Sequence, residues 1–207
     1  IASCLVGSEM CIRDRHTFAI TPSNRKVVAF IKHFDLPVEI HQVNFAKKET
    51  STDEFRALNP MGKVPVLVDG DFSLWESNAI LSYLALKFPQ TNSLPEDIRG
   101  RANVDRWLHW QSCHLMPLIG RFKTGDETDM AAINPLFDVL EVQLKDKDFI
   151  VGDLSIADFA IAAYLMTSLG NKFDYSGHPR LSEWRDLVSQ LSGFVESQVR
   201  IPPKPAA

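Results

Sequence analysis

The feature that most constrains this chain is a change of hydrophobic period near residue 90. Before it, short β-prone runs alternate with helical repeats; after it, no strand pattern survives. A chain that switches in this way builds an α/β domain followed by an all-α one. Its 207 residues agree with one large or two small domains, and 45% apolar against 23% charged residues is the composition of a chain able to bury real cores.

Along the first part, Thr17 to Ile20 is a short β-prone run closed by Thr21-Pro22. Val27, Val28, Phe30, Ile31 and Phe34 then recur at helical spacing from a Ser23/Asn24 cap. Pro37 restarts the chain, and Val38 to Phe45 reads as strand. Thr52 or Asp53 caps a helix carrying Phe55 and Leu58, which Asn59-Pro60-Met61-Gly62 ends. Val64 to Val68 and Phe72 to Trp75 flank Asp69-Gly70, a hairpin signal, and Ser77 caps a helix that Pro89 stops. The order is βαβ, helix, ββ, helix. Residues 90–95 read as a linker, and residues 96–207 as a helical domain with helices over Ile98–Phe122, Pro135–Leu144, Ser155–Leu169 and Pro179–Leu191. Pro117 should bend or end the first of these. Residues 1–15 show no helix or strand period that runs on, so they read as a non-native or disordered leader, leaving 16–89 as the first domain.

Charge and cysteine usage exclude several partners. Lys plus Arg is 22 and Asp plus Glu is 26, a net charge of −4 without the basic run that tracks a phosphate backbone, so no nucleic-acid partner is expected. The longest apolar stretch, Phe159 to Met166, is far short of the roughly 20 residues of a membrane span. The three scattered cysteines, Cys4, Cys11 and Cys113, suit a reducing, cytoplasmic compartment rather than a disulfide framework. His109, Cys113 and His114 lack a fourth ligand or acidic partner at suitable spacing, and no metal is expected.

Two stretches carry chemistry. Pro65 stands at the head of a strand where a missing N–H is tolerable; a cis bond there would leave the Val64 N–H and C=O unpaired by the sheet, open to an extended peptide. Glu76 and Ser77 stand where a strand meets a helix N-terminus, so the hydroxyl and free N–H groups suit a carboxylate and Glu76 suits an ammonium beside it. The α-amino acid end of a peptide carries both charges.

The run Asn59-Pro60-Met61-Gly62-Lys63-Val64-Pro65-Val66-Leu67, with Glu76-Ser77-Asn78-Ala79-Ile80 and Ser155-Ile156-Ala157-Asp158-Phe159, resembles the soluble glutathione transferases from about Phe18 to Leu191. The resemblance implies a thioredoxin-like N-terminal domain and an all-helical C-terminal one. It implies glutathione as co-substrate, its cysteine paired antiparallel to Val64 and its γ-glutamyl group at Glu76 and Ser77, with Lys63 near the glycyl carboxylate or backbone. It further implies a cytoplasmic homodimer that adds glutathione thiolate to hydrophobic electrophiles. Glutathione-dependent isomerisation or dehalogenation, and a non-catalytic scaffold of the same fold, are the alternatives.

The thiol must be activated. With a pKa of about 8.5 it is only about 3% thiolate at pH 7, and lowering it by about two units requires about 2.7 kcal/mol. One hydrogen bond to a charged group, about 1.5–3 kcal/mol, with about 0.3–1 from a helix N-terminus, is sufficient. In serine-type relatives the hydroxyl lies four residues before the arginine that opens the helix, which falls on Thr21; Ser23 is the alternative. Trp107, Trp110, Leu115, His114 and Leu118 mark one long helix and are candidates for a hydrophobic acceptor site or for ordinary core. Ser155 and Asp158 form a capping box whose role is folding.

Overall fold

A computed structural model of the chain describes residues 9–11, 21–122 and 124–197. The chain forms two compact units, Ile1–Ile80 with Gly193–Ala207, and Leu81–Ser192.

In the first unit a four-stranded sheet has the order β2-β1-β3-β4. Strand β1 is Glu9–Cys11, parallel to β2 (Glu39–His41) and antiparallel to β3 (Val66–Asp69), which pairs in turn with β4 (Phe72–Trp75). A structured Glu9–Cys11 departs from the expected leader: three residues are too few to show a period, and their place is fixed by ladders on both sides rather than by pattern. The strand expected over 17–20 lies outside the described residues. The β3–β4 register pairs Asp69 with Phe72, so the turn is Gly70-Asp71, one residue beyond the expected pair, and Gly70 supplies the positive φ of 64°. β2 is shorter than the expected strand, which gives way to a 3₁₀ turn at Phe45–Lys47.

Helix α1 (Pro22–His33) buries Val27 to Ile31. Its N-cap is Thr21, with Pro22 at the first helical position, and not Ser23 or Asn24 as expected, because proline's fixed φ suits that first turn. Helix α2 (Asp53–Leu58) is capped by Thr52, whose hydroxyl accepts from the Phe55 N–H at 3.2 Å. Phe55 joins Val43, Val66 and Val68 in one apolar cluster, with Leu58 and Val64 packed against it. Helix α3 (Ser77–Lys87) follows β4 directly.

The second unit is helical, as the sequence predicts. Helix α4 (Ile98–Trp110) continues through a π-type turn at Gln111–Leu115 into α5 (Met116–Ile119). Pro117 is the reason: it has no N–H, and the ladder widens so that Met116 N–H reaches Gln111 C=O. Helix α6 (Glu127–Gln143) begins eight residues before the expected Pro135, which lies inside it; Asp126 caps it by accepting from the Thr128 and Asp129 N–H groups, both at 3.0 Å. Helices α7 (Ile156–Leu165) and α8 (Pro179–Ser189) complete this core. The expected linker is packed: Ser93 is buried, and its C=O accepts from the Ile156 N–H at 3.1 Å.

The capping box is present, and Asp158 does more than cap. One carboxylate oxygen accepts from the Ile150 N–H and from Trp184 Nε1, both at 2.9 Å; the other accepts from the Ser155 N–H at 2.9 Å and hydroxyl at 3.0 Å. Complete burial pushes its carboxyl above the usual range, against the lowering effect of those four donors. Asp158→Ala leaves buried donors without an acceptor and should cost about 3 kcal/mol or more. The urea unfolding midpoint will fall accordingly.

Candidate functional site

The site residues of the first unit gather around two chain reversals. The first, residues 59–65, is built by a side chain that sequence reasoning left without a role. Asn59 is buried; its Nδ2 donates to the Lys63 C=O at 2.7 Å, and its Oδ1 accepts from the Met61 N–H at 2.9 Å. These bonds fold the Asn-Pro-Met-Gly-Lys turn against the end of α2, and Gly62 takes the positive φ of 62° that the turn requires. The signal was the asparagine at the head of a turn motif, a residue type that bonds its own backbone. Val64 and Pro65 are joined by a cis peptide bond. The β3 ladder begins at Val66, so the Val64 backbone lies outside it, while the valine side chain rests on the apolar cluster. Lys63 is exposed.

The second reversal joins β4 to α3. Glu76 has a φ of 73°, in the left-handed region, and its C=O accepts from the Ile80 N–H at 3.0 Å. Glu76 therefore stands in the cap position, and Ser77, expected there, is the first helical residue. The consequence is chemical. Glu76 is exposed, while Ser77, 8% exposed, opens the first turn of α3, whose N–H groups lack intrahelical acceptors.

Thr21, at the head of α1, is exposed, and its hydroxyl makes no capping bond; the backbone C=O does that work, accepting from the Asn24 and Arg25 N–H groups at 2.9 Å. Ser23, the alternative, is half-buried in the first turn. The polar face of α1 is buried deeply: Asn24 is 4% exposed and Lys26 1%, and Lys26 Nζ donates to Asn78 Oδ1 in the first turn of α3. Lys26 carries no signal at the level of sequence, because it stands outside the apolar repeat of α1.

In the second unit Trp107 and Trp110 stand edge to face, 5.4 Å between ring centroids, and line a groove of about 520 Å³ with Arg106 of α4 and Asp138, Val139, Val142 and Gln143 of α6. His114 is exposed, Leu118 half-buried, and neither lines this groove. Among the described residues no group of three or more His, Cys, Asp or Glu could hold a metal, and no helix is long and apolar enough to cross a membrane.

Comparison with known proteins agrees with this geometry. Residues 16–86 match the family model of the glutathione S-transferase N-terminal domain, and residues 112–191 that of the C-terminal domain. Glutathione S-transferase theta-1 of Mus musculus is 36% identical over 189 residues, 82% of this chain and 79% of the relative; theta-1 of Homo sapiens is 34% identical over 82% and 79%. Among solved structures, a Burkholderia graminis glutathione transferase with two glutathione molecules bound per subunit superimposes with a TM-score of 0.78, at 27% identity over 92% of this chain and 87% of that one.

A glutamate at positive φ is strained by about 1–2 kcal/mol where glycine is not. Glu76→Gly should raise the thermal midpoint while weakening glutathione binding; a fall in both would show that the carboxylate supports the fold rather than a ligand.

Proposed function

The chain belongs to the glutathione S-transferase family, and from that premise we propose that Thr21 activates the thiol of glutathione held along the first unit. In this reading the Val64 backbone pairs with the cysteinyl residue. The γ-glutamyl carboxylate meets Ser77 and the α3 amides, its ammonium meets Glu76, and Lys63 lies within reach of the glycyl carboxylate. Glutathione serves as co-substrate and no metal takes part.

The observation that carries the reading is the exposed Thr21 hydroxyl, which makes no capping bond at the positive end of α1. A donor so placed stabilises a thiolate more than a thiol, and so lowers the barrier to attack. The sulfur forms a bond to an electrophilic carbon, and the leaving group departs with the bonding pair. The acceptors are hydrophobic electrophiles. This makes the chain a serine/threonine-type enzyme, with Ser23 the competing donor, and a cytoplasmic location suits the exposed thiol of Cys113.

The partner in the assembly is a second copy. Val142 is 76% exposed and Val139 43%, and the groove they border carries opposite charges on its two helices, Arg106 on α4 and Asp138 on α6. A patch with both signs is self-complementary across a two-fold axis. Val142→Glu should convert a dimer to monomers in sedimentation at micromolar concentration; a monomeric wild type would remove this part of the reading.

Thr21→Val keeps the shape and removes the donor. The thiol pKa of bound glutathione, followed by thiolate absorbance against pH, should rise by about one to two units, which is about 1.4–2.7 kcal/mol. Affinity should change much less, because the charged ends are held elsewhere. A shift in Ser23→Ala with none in Thr21→Val would move the role to Ser23.

A further inference from the structure

Two cations stand beside the Asn59 turn. Arg56, in the last turn of α2, and Lys63 are exposed, and among the described residues neither side chain makes a hydrogen bond or an ion pair. Arg56 nevertheless lies in a definite place. The position a Cβ would take on Gly62 is 3.7 Å from both Cζ and Nη2 of its guanidinium, so the flat cation rests against the glycine of the turn. The Gly62 φ of 62° disfavours any side chain there, which leaves the guanidinium uncovered on that side. The same position is 3.0 Å from the Thr50 C=O oxygen, which repels a carboxylate, so an anion must approach from the side of Arg56. The acids of this segment lie elsewhere: Asp53 and Glu54 occupy the first turn of α2, and Glu49 Oε2 accepts from the Asn44 N–H at 2.8 Å.

An arginine in the last turn of a helix ordinarily answers the negative end of its dipole, and α2, six residues long, offers little of one. Strand direction supplies a further use. A peptide whose cysteinyl residue pairs antiparallel with Val64 runs against the chain, so the residue after its cysteine falls opposite the residue before Val64, which is Lys63. One residue of extended chain is about 3.4 Å, and the terminal carboxylate of that next residue therefore comes to the Gly62 turn, where Arg56 lies.

We propose that Arg56 is a specificity-determining residue for the carboxylate end of the bound peptide, its guanidinium meeting the glycyl carboxylate over Gly62 with Lys63 as the second cation. The inference rests on the reading in which the cysteinyl residue pairs with Val64. A guanidinium presents parallel N–H donors that match the two oxygens of a carboxylate, which a lysine ammonium does not. Asn59 prepares the place: its bonds to the Lys63 C=O and the Met61 N–H hold the turn, and with it the open side of Gly62, in one shape before the peptide arrives. The site accordingly distinguishes the peptide from one whose last carboxylate is neutralised.

The test compares two ligands of the full chain by calorimetric titration at low salt: S-methylglutathione, and the same peptide with a glycyl carboxamide in place of the glycyl carboxylate. Their shapes match, and only the charge differs. Wild type should bind the carboxylate about tenfold more tightly than the carboxamide, as expected for one exposed but charge-assisted pair with a second cation nearby. Arg56→Gln should reduce that preference to about twofold by weakening the carboxylate form alone, with the carboxamide bound as by wild type. A wild type that binds both peptides alike, a preference that survives in Arg56→Gln, or an equal weakening of both peptides by that substitution would each overturn the proposal, the last because it shows Arg56 supporting the turn and not the ligand. Ser77→Ala separates this inference from the reading it rests on. That variant should weaken both peptides by the same factor and keep the tenfold preference. If it binds both as wild type does, the peptide is not held along this unit and the proposal falls with that reading; if it weakens both while Arg56→Gln keeps the wild-type preference, the peptide site stands and only the role of Arg56 is overturned.

Discussion

One residue in the left-handed region determines how the first unit can meet a ligand. Glu76, at φ 73°, turns the chain from β4 into α3 with no intervening loop. A right-handed residue there would carry the strand direction onward and point the start of α3 elsewhere. The left-handed one puts Glu76 and Ser77 side by side at the head of α3, next to its first-turn N–H groups. The strain is held by what lies on both sides: a ladder pairing Trp75 with Val66, and an α3 that buries Ile80, Leu81 and Leu84. A strained residue that survives between two well-packed elements is the mark of a site shaped by function.

The two units solve separate problems. The helical one is organised around a carboxylate used for structure: Asp158 ties the start of α7 to Ile150 and to the Trp184 indole, and Phe137, Phe173, Tyr175 and His178 pack as one aromatic cluster nearby. In the sheet unit, side-chain hydrogen bonds build turns. Asn59 fixes the reversal before Val64, and Thr52 fixes the helix before that. The matches to both family domains and to the theta-class relatives make the chain a glutathione transferase.

Much of this was legible because it is written in local chemistry. The Thr52 cap, the β3–β4 hairpin, the Ser155/Asp158 box and the helical second half all depend on residues within four or five positions of one another. What escaped depends on partners far along the chain. β1 is three residues whose identity as a strand comes from β2 and β3. Gly193 belongs to no sequence pattern, yet a Cβ there would come within 1.8 Å of the Ala29 C=O, so it is what lets α9 (Ser192–Glu196) lie against α1. Lys26 is buried in α1, and its contact with Asn78 comes from 52 residues further along the chain. At the site, Glu76, Ser77, Val64 and Pro65 were named from motif and turn logic, but Ser77 was expected to cap α3 where Glu76 does, since a left-handed cap is a tertiary choice.

The central claim, that glutathione lies along Val64 and ends at the head of α3, predicts where backbone amides become protected. Amide hydrogen exchange of the full chain, with and without saturating S-methylglutathione, measures this directly. The account predicts slowed exchange concentrated at the Val64 N–H and in the first turn of α3 around Ser77, with the α7 and α8 amides unchanged. Protection confined to the Trp107–Trp110 groove, or none at Val64 and Ser77 despite binding, would contradict it.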